Sequence, residues 1–548
     1  MRDIISVRAL TALQKKKRLV KRGDEILTSK PFCFVLENSV IGQYCETCLA
    51  TVRKERLLSR CKGCRRAWYC SDICRDLGEP QHRHECQLFR ERPDYRPKDF
   101  ARFLARLIRK LKDGGEDVVE RIDARRSRRF RDLMSHSKEI EKDQKRLDYL
   151  AEMMPDLRVL LGKSNIPERE ELIQIFGKVT VNSFCLLDHH LKPVGTSLYL
   201  AASIFDHSCA PNAFVSFVGN KLVVRTLVEW PELDLDMVHI SYMDTMNSRE
   251  HRRAFLQDHY YFACDCRLCR DDEHARTASS IRCRSRACGA PVHVDESGTG
   301  WVDPCGACGF CKFPRGVAYE YIEVADYTRA ELADLDEENP SILFRGDADL
   351  RPLPLMVLLL IIINMTLVLP WKRHETFPLH LAARPCLALI CLNLRAGLEV
   401  WRDVTEAQGA LLHPLNLWRS KSLEALVTAS VNMRQWSAAL APARENEAAI
   451  RHYYGPKHPY VGLYLMKLAK IELNNMEWHS ALEHLQEAEE ILEAGLGSNH
   501  PLVFVDLTWL LIQASEECRV DIQRSLMYGR AQATSAASRS LAANRGGS

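Results

Sequence analysis

The chain has 548 residues, with 76 Lys and Arg against 72 Asp and Glu for a net charge of +4, and 21 cysteines. That length supports two to four domains with cores of their own, and the balanced charge does not call for a nucleic-acid partner. The opening MRDIISVRALTALQKKKR holds no hydrophobic signal core. The cysteines are therefore expected as thiolate ligands in a reducing compartment, nucleus and cytoplasm, rather than as disulfides.

Eight metal-ligand side chains come first: Cys45-x2-Cys48, Cys61-x2-Cys64, Cys70-x3-Cys74 and His82-x3-Cys86. A two-residue gap lets two thiolates converge on one tetrahedral zinc, and eight ligands make two closed sites. Spacing alone leaves open which pairs share a metal. About forty residues bury too little apolar surface to fold alone, so metal binding here is folding energy. Next, Phe100, Leu104, Leu107, Ile108 and Leu111 recur at helical spacing, with Arg102, Arg106, Arg109 and Lys110 elsewhere on the turn. A solvated basic face is the expectation, and a weak nucleic-acid contact the alternative.

From Val179 short β-type runs take over. Phe214–Phe217 turns at Gly219-Asn220 into Leu222–Val224, a hairpin signal, and Val238–Tyr242 is a further strand. Cys264-x-Cys266-x2-Cys269 supplies three close ligands, for which Cys209 is the best fourth candidate. Cys283-x4-Cys288 with Cys305-x2-Cys308 completes another four-ligand set of zinc-ribbon type, with Cys311 as a possible substitute ligand. The six remaining cysteines, Cys33, Cys185, Cys311, Cys386, Cys391 and Cys518, read as buried apolar residues.

Pro352–Trp371 carries no charge, yet the run between Pro354 and Pro370 makes roughly 22 Å of helix against a ~30 Å hydrocarbon core, so no membrane anchor is expected. Past residue 400, Trp436–Leu440 recurs as Trp478–Leu482, and Gly455–Pro459 as Gly497–Pro501, each 42 residues on. That period with paired helices reads as a tetratricopeptide-like array.

The eight-ligand segment, with Arg66-Ala67-Trp68-Tyr69-Cys70-Ser71 and its His82–Cys86 ending, resembles the MYND-type zinc finger. That resemblance implies interleaved sites, Cys45, Cys48, Cys70 and Cys74 on one zinc and Cys61, Cys64, His82 and Cys86 on the other. Asp206-His207-Ser208-Cys209, Ile240-Ser241-Tyr242 and Tyr261-Phe262-Ala263-Cys264-Asp265-Cys266 look like the SET domain with its post-SET cysteines. In order and over nearly its full length the chain resembles the SET- and MYND-domain lysine methyltransferases.

The resemblance implies S-adenosylmethionine on one face of a knot of short sheets and a substrate lysine entering from the other. Asn182, Asp206 and His207 lie where the family contacts the cofactor, and Tyr242 where it positions the methyl group. Tyr260 and Phe262 match aromatics lining the channel or the adenine site. Cys209, Cys264, Cys266 and Cys269 would hold a third zinc, and Cys283, Cys288, Cys305 and Cys308 a fourth. Implied partners are proteins with an exposed lysine, histones among them, and proline-rich peptides at the finger. The implied layout is multidomain α+β. Residues 1–40 begin the SET region, 41–90 are the finger, 91–175 a helical insert and 176–262 the core SET domain. Residues 263–315 are the post-SET and ribbon segment, 316–375 a linker and 376–548 the helical array.

Three features depart from the family. Thr11–Lys16 stands where a Gly-x-Gly loop is usual; Asp206 replaces an asparagine, placing a negative charge beside the cofactor's carboxylate; and Pro231–Asp236 replaces a Gly-Glu-Glu-Leu turn. They keep a second expectation alive, a catalytically impaired zinc-stabilised adaptor recruiting partners through the finger and the helical repeats.

Overall fold

The computed structural model describes residues 19–52, 57–297, 300–314, 316–338 and 384–524. The Thr11–Lys16 segment and the Pro352–Trp371 run lie outside them. Among the described residues no helix is long and apolar enough to cross a membrane. The chain divides into two compact units, one built from the described residues up to 338 together with Asn416–Trp418 and Ala494–Leu496, and the other, helical, from the remaining described residues from 384 on.

Two small antiparallel sheets centre the first unit. Glu25–Ser29 pairs with Lys221–Thr226, which pairs with Ala213–Val218; Cys33–Leu36 pairs with Pro193–Leu198, which pairs with Ser183–Leu187. The 213–226 hairpin turns at Gly219, whose φ of 61° lies in the left-handed region that glycine enters at little cost. Gly195 is required for a different reason: a Cβ there would lie 2.1 Å from the Val35 carbonyl oxygen across the sheet. A two-residue parallel pairing, Asp206–His207 with His239–Ile240, brings together the segment that carries His207 and the one that leads into Tyr242.

These pairings reveal a topology invisible in the motif order. Strands at 25–36 find their partners at 183–226, so everything between is an insertion into one β body. The inserted finger holds a minimal hairpin, Ser59–Arg60 with Trp68–Tyr69, and the helix Asp72–Glu91. Ser71 caps that helix, its hydroxyl accepting from the Cys74 amide at 3.2 Å. After it the helix Asp99–Lys112 packs on Cys33–Leu36, whose four residues are all buried, as a continuous apolar run covered on both faces requires.

The expectation of a solvated basic face on Asp99–Lys112 is wrong for two of its three arginines. Arg102 and Arg106 are 3% and 8% exposed and face Glu85 and Glu46, themselves 3% and 9% exposed. Arg106 Nε donates to Glu85 Oε1 at 2.6 Å and Arg102 Nη2 to Glu85 Oε2 at 2.9 Å, while Glu46 lies 3.4 Å from both guanidinium groups. Each arginine also donates to a strand carbonyl, Arg106 to Phe34 at 3.0 Å and Arg102 to Leu36 at 3.4 Å. Burial alone would raise the Glu85 carboxyl, but the two arginines hold it well below the usual carboxylate range. Two cations and two anions balance, and they bind the finger to the β body from within.

In the second unit the 42-residue recurrence has a structural cause. Trp436 and Trp478 each open a helix, Trp436–Tyr454 and Trp478–Leu496. Gly455 and Gly497 close them with φ of 89° and 95°. His458 and His500 then cap the next helical segments, each ring Nδ1 accepting an amide two residues on, from Tyr460 at 3.2 Å and Leu502 at 3.3 Å. Pro459 sits at the first helical position, where a missing N–H costs nothing.

Candidate metal centres and candidate active site

Four sets of ligand atoms converge, each within 4.8 Å of one another: Cys45, Cys48, Cys70 and Cys74; Cys61, Cys64, His82 and Cys86; Cys209, Cys264, Cys266 and Cys269; Cys283, Cys288, Cys305 and Cys308. In the finger Cys48 Sγ is 3.5 Å from Cys70 Sγ, Cys61 Sγ is 3.6 Å from Cys86 Sγ, and Cys64 Sγ is 3.4 Å from His82 Nε2. A tetrahedral zinc with Zn–S near 2.3 Å requires sulfur edges of about 3.8 Å, so these sets fit zinc in size and in donor chemistry. The two finger sets interleave in sequence.

The backbone makes this convergence local. Leu49 and Arg65, each following the second cysteine of a pair, have φ of 62° and 59°, and each donates its amide to the first cysteine's carbonyl at 3.0 Å. Gly289 and Gly309 hold the same left-handed position after Cys288 and Cys308. Gly63 cannot gain a side chain, since a Cβ would lie 2.8 Å from Cys86 Sγ. Thiols so crowded share protons: Cys45 is driven down to about 5, chiefly by its hydrogen bond with Cys48. Among the six unassigned cysteines, Cys33 and Cys518 are buried, but Cys185 is half-buried and Cys311 is exposed, outside the ribbon set. The side chains of Cys386 and Cys391 are outside the described ones.

Beside the third thiol set four rings meet. Tyr242 and Tyr260 have ring centroids 4.9 Å apart, His207 and Tyr242 5.3 Å, His207 and Phe262 6.1 Å, and Tyr260 and Phe262 6.5 Å. His207 joins rings to thiols: its Nε2 lies 3.2 Å from Cys209 Sγ and its Nδ1 accepts from the Tyr242 amide at 3.0 Å. Tyr242 donates its hydroxyl to the Phe205 carbonyl at 2.6 Å. Burial, with Asp206 and Tyr260 beside it, pushes that phenol well above its ordinary range and keeps it neutral. Tyr261, with φ of 61°, ends the helix Arg249–Tyr260 and turns the chain so that Phe262 and Cys264 return to the cluster.

Asp206 is exposed at the rim. Asn182 closes the helix Arg169–Asn182, and both its amide hydrogens go to backbone carbonyls, Lys178 at 2.7 Å and Met134 at 2.9 Å. Sequence reasoning missed Arg128. Its guanidinium donates to the Ser203 carbonyl, and although burial disfavours its charge, the carboxylates of Asp132 and Asp206 favour it. Glu46 and Glu85 were missed as well. Their only signal was that each adjoins a metal ligand.

Residues 45–86 match the family model for the MYND finger. Human histone-lysine N-methyltransferase SMYD3 is 31% identical over 260 residues, which cover 46% of this chain and 58% of that protein. Rat N-lysine methyltransferase SMYD2 is 29% identical over 264 residues, covering 47% and 58%. Arabidopsis thaliana histone-lysine N-methyltransferase ASHR1 is 23% identical over 461 residues, covering 82% of each chain. The matches to SMYD3 and SMYD2 thus span somewhat over half of those relatives' length. The chain thus carries a MYND finger and is similar in sequence to the lysine methyltransferases SMYD3, SMYD2 and ASHR1.

Proposed function

We propose that the protein is an S-adenosylmethionine-dependent protein-lysine N-methyltransferase acting on histone or non-histone proteins. In this reading residues 176–262 are a core SET domain, 1–40 its N-terminal part, 91–175 its helical insert and 376–548 a tetratricopeptide-like array. Four zinc ions hold the chain, and nucleus and cytoplasm are its compartments. The observation that carries the reading is the ring cluster pinned through His207 to a buried thiol set.

When bound, the cofactor would supply an electrophilic methyl group on a sulfonium. The chain's residues do the rest. Tyr242, Tyr260 and Phe262 exclude water and align the lysine amine, and desolvation among them favours its neutral, nucleophilic form. Asp206 and Arg128, opposite charges coupled at the rim, complement the ammonium and carboxylate of an α-amino acid group. Arg128 thereby offsets part of the repulsion that Asp206 brings. Asp206 is also what favours the second reading, an adaptor that keeps the fold without the chemistry and works through the finger, by proline-rich peptides, and the helical repeats.

Calorimetric titration of S-adenosylmethionine into the zinc-loaded chain separates them, alongside mass spectrometry of histones incubated with both. Asp206→Asn is expected to tighten cofactor binding by up to about tenfold, and Tyr242→Phe to abolish methyl transfer while binding persists. Absence of binding in both the parent and Asp206→Asn, with zinc content intact, would count against the enzyme and for the adaptor.

A further inference from the structure

Between the finger helix Asp72–Glu91 and the helix Asp99–Lys112 lies a cavity of about 420 Å³, within the size range of small-ligand sites. Leu77 and Leu160 give it apolar walls, and Arg83, Arg109, Lys110 and Asp113 line it. Glu85, also in the lining, is already matched by Arg102 and Arg106. With Arg106, also in the lining, paired to Glu85, the lining leaves three cations against one carboxylate, Asp113, and among the described residues none of the three cations forms an ion pair.

Backbone carbonyls hold two of them in place. Arg109 donates to Leu160 O, and Lys110 Nζ donates to Phe32 O at 2.6 Å while lying 4.5 Å over the Phe32 ring. A carbonyl fixes a cation without neutralising it. Burial disfavours the charge on both side chains, so these are half-buried, preorganised cations that an anion would relieve. Arg83 is exposed at the cavity's edge.

We propose that this cavity is a binding site for a phosphate-class dianion, either a free phosphate or the phosphate of a modified side chain. The net excess of two positive charges matches a phosphate ester, which carries about −1.5 to −2 at neutral pH. Arginine's planar fork suits its oxygens. The site is separate from the ring cluster and does not depend on the methyltransferase reading.

The test is calorimetric titration of the zinc-loaded full chain at constant ionic strength with three probes: inorganic phosphate, a phosphoserine peptide and its unphosphorylated form. Saturable binding of a phosphate probe is expected, weakened about tenfold or more in Arg83→Glu and in Lys110→Gln. Arg286→Glu, which makes the same charge change on the exposed ribbon surface, should leave it unaltered. A phosphopeptide tighter than inorganic phosphate identifies a modified side chain as the source; equal affinities identify free phosphate. The proposal is overturned if neither phosphate probe saturates, or if Arg286→Glu weakens binding as much as Arg83→Glu.

Discussion

The finger and the ribbon are both thiol knuckles with left-handed residues after a second cysteine, Leu49 and Arg65 in one, Gly289 and Gly309 in the other. They differ in what lies behind the knuckle. Behind the finger stand Glu46 and Glu85, each next to a ligand and each buried against Arg102 and Arg106 of the body. The ribbon's ionic attachments among the described residues are solvent-facing, Arg329 to Glu296 at 3.4 Å and Arg276 to Asp303 at 3.8 Å, with the arginine side chains 44% and 67% exposed. Identical local chemistry is thus structural for the whole β body in one place and for its own loop in the other.

Metal removal should break the comparison most visibly. Structural zinc contributes apparent binding energies of about 10–16 kcal/mol in finger peptides, and here it also holds the docking charges in place. Chelator added to a protein carrying four zincs should release one early, from the set containing exposed Cys308, with little change in circular dichroism. The finger zincs should leave only as the body melts. A single release rate for all four, or two or fewer zincs at the outset, would refute this.

Within the intact protein, Glu85→Ala leaves two buried guanidinium groups sharing Glu46. The expected loss is about 3–5 kcal/mol in chemical denaturation, against about 0–0.5 kcal/mol for Arg276→Ala. Zinc content measured alongside separates a lost ion pair from a lost ligand set.

Two glycines inside Cys-x2-Cys pairs give a finer comparison. Gly63→Ala must displace Cys86 Sγ, whereas a Cβ on Gly306 meets nothing within 4 Å. The first should cost about 1–3 kcal/mol and the second less than about 0.5 kcal/mol, read as shifts in the denaturation midpoint.

The helical unit supplies a reference free of thiol sets among its described residues. Burial pushes His458 down to about 3, below its ordinary 6.5. The unfolded chain therefore binds a proton that the folded one refuses, and stability falls as pH drops from about 6.5 toward 3. His458→Asn keeps a capping acceptor and should remove up to about 1.4 kcal/mol per pH unit of that slope. Parallel stability–pH profiles of variant and parent would contradict it.

The metal sets were legible because ligand chemistry constrains spacing over a few residues, and the hairpin at Gly219 because turn chemistry is local. The helical stripe of Asp99–Lys112 was legible too, but the fate of Arg102 and Arg106 was not. Their partners lie 17 to 60 residues earlier in sequence, and periodicity cannot tell a buried, matched arginine from a solvated one. The ring cluster came from motif resemblance alone, since Tyr242 follows a two-residue strand and Tyr260 closes a helix, and periodicity singles out neither position. Arg128 was hidden among neighbouring arginines, distinguished only by the carbonyl it meets.

The insertion topology sets an order of assembly on the ribosome. Cys33–Leu36 emerges roughly 160 residues before its sheet partner around Leu198, a wait on the order of ten seconds at common synthesis rates. During that interval the finger can already take up zinc and close around Glu85 and Glu46. Metal supply at the moment of translation, rather than in the finished protein, then governs how many nascent chains present a docked finger when the last strand arrives.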